Sequence, residues 1–168
     1  MSVRRLKSVS RMKVRTMTTT IKPCNLFESQ NRTFVCTVNV VGAMGKGIAL
    51  EFRNRYPDLY YQYKKLCRQK KFKPHSLFKM VSRFGNQHVI CLVTKEHFAR
   101  NSNLDLVESS LKLLVDYHKN VCSLGSLAIP PLGCSNGGLD FESQVKPLML
   151  KYLSELDIDV EICTNEGS

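Results

Sequence analysis

The chain has no CxxC pair and no HExxH motif, and its four histidines lie far apart. These absences remove the usual signatures of a zinc site, so no metal is expected. No apolar run approaches the 18 or so residues that a membrane-spanning helix needs. Seven cysteines, Cys24, Cys36, Cys67, Cys91, Cys122, Cys134 and Cys163, are an odd number, scattered singly and partly within apolar runs. That distribution excludes a disulfide framework and fits reduced core thiols of an intracellular protein. Acidic residues are missing altogether from the first 22 positions, where seven basic ones stand: Arg4, Arg5, Lys7, Arg11, Lys13, Arg15 and Lys22.

That lopsided start explains most of the charge. Seven of the net +11 sit there, which leaves +4 for residues 23–168, so the body of the chain is only mildly basic. Residues 1–19 are read as a basic, disordered extension outside the fold. An organelle-type transit segment, Arg-rich and acid-poor, and an upstream extension with the functional start at Met12 or Met17 are the competing readings. Residues 20–164 form the domain and residues 165–168 a C-terminal tail. At 168 residues the length suits one domain that buries about 70% of its unfolded surface. Cytoplasmic location and a monomeric state are expected.

What is present is organised around residues 34–52, FVCTVNVVGAMGKGIALEF. An apolar β-rich run empties through Gly42, Gly45 and Gly47 into a helical pattern. Glycine lets backbone approach a ligand closely, and a helix start offers unpaired N–H groups, so a phosphate can be held there. A plain strand-to-helix turn is the alternative. A second loop of the same kind, GCSNGG at residues 133–138, stands between another apolar run and another helical pattern. The first loop lacks the spacer and the Ser/Thr of a P-loop, and neither loop has the dinucleotide GxGxxG pattern.

Periodicity predicts strands at 20–28 (broken by Pro23), 34–41, 76–81, 88–94, 126–129 and 158–163. It predicts helices at 45–55, 57–68, 104–120 and 141–156, with Asn103 and Asp140 as caps. Residues 84–86 are turn-forming and would make the third and fourth strands a hairpin. The order is that of a mixed α/β domain with helices on both faces of a sheet. Ligands of such sheets bind beyond strand C-termini, here the loops 39–47, 94–101 and 131–138. Two glycine loops suit two phosphates, or a diphosphate flanked by sugars. The basic run RQKKFK at residues 68–73 is a solvated helix end or a nucleic-acid contact.

Three blocks in register, TVNVVGAMGKGIALEF (residues 37–52), VTKEHF (residues 93–98) and IPPLGCSNGGLDF (residues 129–141), together resemble the macrodomain family. Within it they are most similar to the DarG antitoxin macrodomains, which remove ADP-ribose from thymidine in DNA. The resemblance implies a three-layer α/β/α fold with a mixed central sheet, an ADP-ribose ligand and no cofactor. Related terminal ADP-ribose glycohydrolases carry a catalytic aspartate at about the position of Gly137, which this chain lacks. Many macrodomains place Gly-Asp after the first strand, where Cys24 and Asn25 stand here.

The roles implied are as follows. Asn25 contacts adenine through its amide, and Asn39 the hydroxyls of the distal ribose, with a turn-forming asparagine as the alternative. The backbone of Gly45, Lys46 and Gly47, with Ile48, lines one phosphate site, and that of Gly133, Ser135, Asn136, Gly137 and Gly138 the other. Lys46 itself is read as a surface charge at most, and Asp140 as a cap rather than a ligand. Lys95 is the candidate catalytic residue, either as a neutral amine that attacks the anomeric carbon or as a cation that stabilises the leaving base. His97 is the candidate proton shuttle.

The function expected is therefore hydrolytic removal of ADP-ribose from a macromolecule, ADP-ribosylated DNA first of all. Processing of ADP-ribose-1″-phosphate and non-catalytic reading of ADP-ribose are the alternatives, and Lys95 separates enzyme from reader. An antitoxin or defence-countering role is an expectation from the family, and a stand-alone macrodomain is the expectation from the length.

Overall fold

Two strands, β2 (Thr33–Val38) and β4 (His88–Val93), are apolar on both faces and pair in parallel from Thr33 opposite His88 to Val38 opposite Val93. Strands buried on both sides read as continuous apolar runs rather than alternating ones, which is how both segments look in the sequence. Alternate residues then belong to different cores. Phe34, Cys36 and Val38 with Val89, Cys91 and Val93 face one layer, whereas Val35 with Ile90 and Leu92 faces the other.

The computed structural model describes residues 17–164. The basic extension expected over residues 1–19 lies outside the described residues as far as residue 16, while Thr19, expected in that extension, already pairs with Val160 as the first residue of the sheet. The tail at 165–168 lies outside the described residues. Six strands form one sheet in the order β1-β6-β5-β2-β4-β3, where β1 is Thr19–Pro23, β3 Leu77–Val81, β5 Leu127–Ile129 and β6 Val160–Thr164. All pairings are parallel except β3 with β4, which form the expected hairpin. Helices α1 (Gly47–Arg55) and α2 (Pro57–Arg68) cover one face, through Phe52, Leu59, Tyr63 and Cys67. Helices α3 (Leu104–Asn120) and α4 (Lys146–Leu153) cover the other, through Val107, Leu111, Leu114, Met149 and Leu153. The result is the three-layer α/β/α arrangement expected from the sequence.

Local chemistry sets the element ends. Pro57 opens α2 at a position where a missing N–H costs nothing. Asn103 caps α3 by accepting from Asp105 N at 2.8 Å, and Asp140 accepts from Ser143 N at 2.8 Å.

Three differences from the sequence reading have physical causes. The first strand stops at Pro23, and Asn25 caps a short 3-10 turn, Leu26–Glu28, where extended chain was expected. The second ends at Val38 rather than residue 41, because Asn39 captures the backbone that follows it. The last helix is not continuous over residues 141–156. It starts as a wide π-type turn, Phe141–Val145, since Pro147 has no N–H to give a regular helix.

The connection after β2 turns to the α1/α2 face, and those after β4 and β5 turn to the α3/α4 face. The loops after these strands therefore gather at the C-terminal end of the sheet around β2, which is where parallel sheets collect ligands.

Candidate functional site

Asn39 begins the first loop and is buried at 4% exposure. Its Oδ1 accepts from Val41 N at 3.1 Å and from Ala43 N at 3.3 Å, while its Nδ2 donates to Ala43 O at 2.9 Å. The Tyr63 hydroxyl lies 2.6 Å from Asn39 O and 2.9 Å from its Oδ1, anchoring the loop to α2. Burial holds that phenol far above its ordinary pKa, so it stays a neutral donor. The side chain of Asn39 thus shapes its own loop, as the turn-forming reading requires, and these bonds compete with the direct ribose contact expected of it.

The loop then exposes Gly45, Lys46 and Gly47, with Ile48 half-buried behind them. Lys46 precedes α1 without a side-chain cap, so the first N–H groups of that helix are not taken by it. Gly47 has φ +55°, and a Cβ there would lie 2.5 Å from Asn136 Nδ2. The two glycine loops therefore meet at this point.

The second loop is braced from below by a residue that the sequence reading passed over. Ser102 N donates to Gly137 O at 2.7 Å, and a Cβ on Gly137 would collide with Ser102 Oγ and Gly133 O. The Ser102 hydroxyl is buried with no hydrogen-bond partner among the described residues. Asn101 packs its amide beside Gly138, where an added Cβ would meet its Oδ1 at 3.1 Å. The only sequence sign of these contacts is the polar triplet Asn101, Ser102, Asn103 before α3, in which Asn103 alone stood out as a cap. Gly133 closes the loop by accepting from Leu139 N at 3.0 Å, while Ser135 and Asn136 are exposed at its rim.

Lys95 bridges the loops. It lies past the end of β4, half-buried, with Nζ 3.3 Å from Asn136 O and 3.5 Å from Phe98 O. Partial burial first, and then the like charge of Lys46, lower its ammonium pKa below the usual lysine range. Lys46, read from sequence as a surface charge, thus acts electrically on Lys95. His97 is also in the loop rather than on a strand face. Its Nδ1 accepts from Ala99 N at 3.0 Å, which leaves Nε2 to carry the proton of the neutral ring, and the ring stacks on exposed Phe98 at 4.2 Å. Burial, and then Asp140, push the nearby Cys134 thiol up to about 11, so it is no thiolate near neutral pH. Asn25 stands apart at the end of β1, with Oδ1 accepting from Phe27 N at 3.0 Å.

The geometry has one lysine above two abutting glycine loops at the C-terminal end of a parallel sheet. The Macro domain family model matches residues 35–147. The chain belongs to the macrodomain family. This macrodomain is 34% identical over 145 residues to the "DNA ADP-ribosyl glycohydrolase" of Mycobacterium tuberculosis, with 85% of the chain and 41% of the relative covered. It spans about two fifths of the length of that curated relative. Its fold matches the macrodomain of M. tuberculosis DarG with a TM-score of 0.82 at 30% identity, covering 90% of this chain and 99% of that one. It matches Thermosipho africanus DarTG in complex with ADP-ribose with a TM-score of 0.78 at 30% identity, covering 86% and 40%.

Two sets of variants test the site's construction. Tyr63→Phe leaves the buried Asn39 carbonyl short of a donor and is expected to cost roughly 1–2 kcal/mol, lowering Tm by about 2–8 °C. Gly45→Ala meets nothing within 4 Å and should keep the Tm, whereas Gly137→Ala must displace Ser102. Both are expected to weaken ADP-ribose binding in calorimetry by about tenfold or more, which corresponds to ~1.4 kcal/mol. Unchanged affinity in both would mean that the ligand sits elsewhere.

Proposed function

We propose that this macrodomain is a hydrolase that removes ADP-ribose from ADP-ribosylated DNA, with thymidine as the modified base. The observation that carries the reading is the Lys95 ammonium at the junction of the two glycine loops, 3.3 Å from Asn136 O, with its pKa lowered by burial and by Lys46. A protein that only reads ADP-ribose has no use for such an amine. The names of the relatives, and the ADP-ribose held by one of them, support the same reading.

In the proposed complex the exposed N–H groups at Gly45, Lys46, Gly47 and Ile48 hold one phosphate. The backbone of Gly133, Ser135, Asn136, Gly137 and Gly138 holds the other. Asn25 offers its amide to adenine, and Asn39 sets the loop beside the distal ribose. Opening of that ribose exposes C1″ to the neutral Lys95 amine. The neutral amine adds to C1″, and of its two protons one ends on O4″, freed by the ring opening, and the other on the base as the C1″–base bond breaks, leaving a Schiff base. His97 Nε2–H hydrogen-bonds to the departing base and orients it, since its Nδ1 is occupied by Ala99 N. Water then adds to the resulting Schiff base, and release of free ADP-ribose restores the amine. One water is consumed and no cofactor takes part.

A nucleic-acid substrate is favoured by the surface beside the first loop. A Cβ on Gly42 would touch Lys64 of α2, and Lys64, Lys65, Arg68 and Tyr61 line a shallow groove there. Tyr61 is 65% exposed, so an aromatic face stands among cations, a pairing that suits single-stranded nucleic acid. An antitoxin-like role, reversing the modification that a partner enzyme installs, follows from this reading.

Incubation with ADP-ribosylated single-stranded DNA, ADP-ribosylated protein and ADP-ribose-1″-phosphate in parallel is expected to give product from the DNA. Product from none of the three would leave the reader. Lys95→Ala should abolish release yet retain ADP-ribose binding. The wild-type rate should rise with pH through a pKa below the ordinary lysine value, because the neutral amine is the reactive form. A rate that falls across that interval would assign the charged form instead. Reversing Lys65 and Arg68 to Glu should raise KM for the DNA by about tenfold at low salt and flatten its salt dependence, with ADP-ribose affinity unchanged. Equal effects on both ligands would remove the groove from DNA recognition.

A further inference from the structure

A second cluster of chemically able side chains lies away from the glycine loops, at the edge of the sheet. Cys24, just past β1, meets Glu161 and Cys163 on β6, with one ligand atom from each all within 4.8 Å of one another. No sequence spacing announces this group, since 137 positions separate Cys24 from Glu161. Parallel pairing assembles it: Lys22 lies opposite Cys163, Pro23 opposite Thr164, and Cys24 N donates to Thr164 O at 3.2 Å. Glu161 and Cys163, two apart on a strand, share one face.

Two of the three donor-to-donor edges match a tetrahedral cation site, and the third lies within 4.8 Å. Zinc binds thiolate sulfur at ~2.3 Å and carboxylate oxygen at ~2.1 Å, which makes a tetrahedral sulfur-to-oxygen edge about 3.6 Å. Glu161 Oε1 lies 3.8 Å from Cys24 Sγ and 3.5 Å from Cys163 Sγ, so the two edges bracket that value. Lys22 Nζ is 3.1 Å from Glu161 Oε2, leaving Oε1 to face the sulfurs. A ligating carboxylate normally carries such an outer partner. Access is open on one side, because Cys24 and Glu161 are half-buried whereas Cys163 is 4% exposed.

We propose that Cys24, Glu161 and Cys163 form a binding site for a thiophilic divalent transition metal of the zinc class, with the fourth position left to an exchangeable ligand. On binding, each thiol gives its proton to solvent and two metal–sulfur bonds and one metal–oxygen bond form. The charge left on the three anionic donors and the cation is then balanced by Lys22. Among the described residues the strand β1 is an edge strand joined to the sheet by β6, so the ion would clip it there through side chains. It would also fix the turn at Asn25, the next residue in the chain.

The test uses the full chain, stripped with a chelator, kept reduced by a non-thiol reductant and titrated with Co2+. Expected are a near-ultraviolet thiolate-to-cobalt band that saturates at one equivalent, its loss on adding Zn2+, and a Tm that rises by several degrees with either ion. Cys24→Ser and Cys163→Ser should each lose at least half of the band and about tenfold or more in Co2+ affinity. Glu161→Gln should weaken binding while keeping two-thiolate intensity, and Cys122→Ser at an exposed cysteine should change nothing. If Cys163→Ser does not fold, Cys24→Ser and Glu161→Gln carry the test. No band in the wild type at saturating Co2+, or an unaltered band and affinity in Cys24→Ser, would overturn the site.

Discussion

Parallel pairing of β2 with β4 on one side and β5 on the other is the constraint from which the rest follows. Because the three strands run the same way, the loops behind them emerge at one end of the sheet. Because the chain then turns to opposite faces, those loops gather around the end of β2 at Asn39. Everything described at the site is a device for holding three loops at that end. Asn39 and Tyr63 brace the first, Ser102 braces the second from the loop after β4, and Lys95 reaches from that loop to the carbonyl of Asn136.

The abutment of the loops also sets the chemistry. A lysine in a surface loop would ordinarily be fully hydrated and charged. Here it is partly withdrawn from water and faces a second lysine. Desolvation and like charge act in the same direction, and both lower the ammonium pKa. The carboxylate that related glycohydrolases carry at about Gly137 has no room, since even a Cβ there would strike Ser102 and Gly133. Glycine at position 137 is the residue that this packing admits. The sheet edge carries a different logic, in which two thiols and a carboxylate converge only because β1 lies on β6.

Much of this was legible in the chain. Apolar runs and helical spacings gave the order of elements, with Pro57–Arg68 and Leu104–Asn120 matching to the residue. Proline at a first turn and asparagine at a cap are local signals that need no distant partner. The misjudged ends had causes that pattern does not register. Asn39 closes the second strand with bonds to residues two and four ahead, and Pro147 forces a wide turn inside a segment whose apolar spacing looks continuous.

The sequence by itself determined the order of strands and helices, because hydrophobic period, glycine and proline act over a few residues, and the family was legible only through the resemblance of three blocks to known macrodomains. Only the tertiary structure decided how the loops touch. That Gly47 rests on Asn136, that Ser102 lies under Gly137, that Lys46 lowers the pKa of Lys95, and that Cys24 meets Cys163 are all contacts between distant segments. Strand register fixes such contacts, and register is a property of the assembled sheet rather than of any stretch of chain.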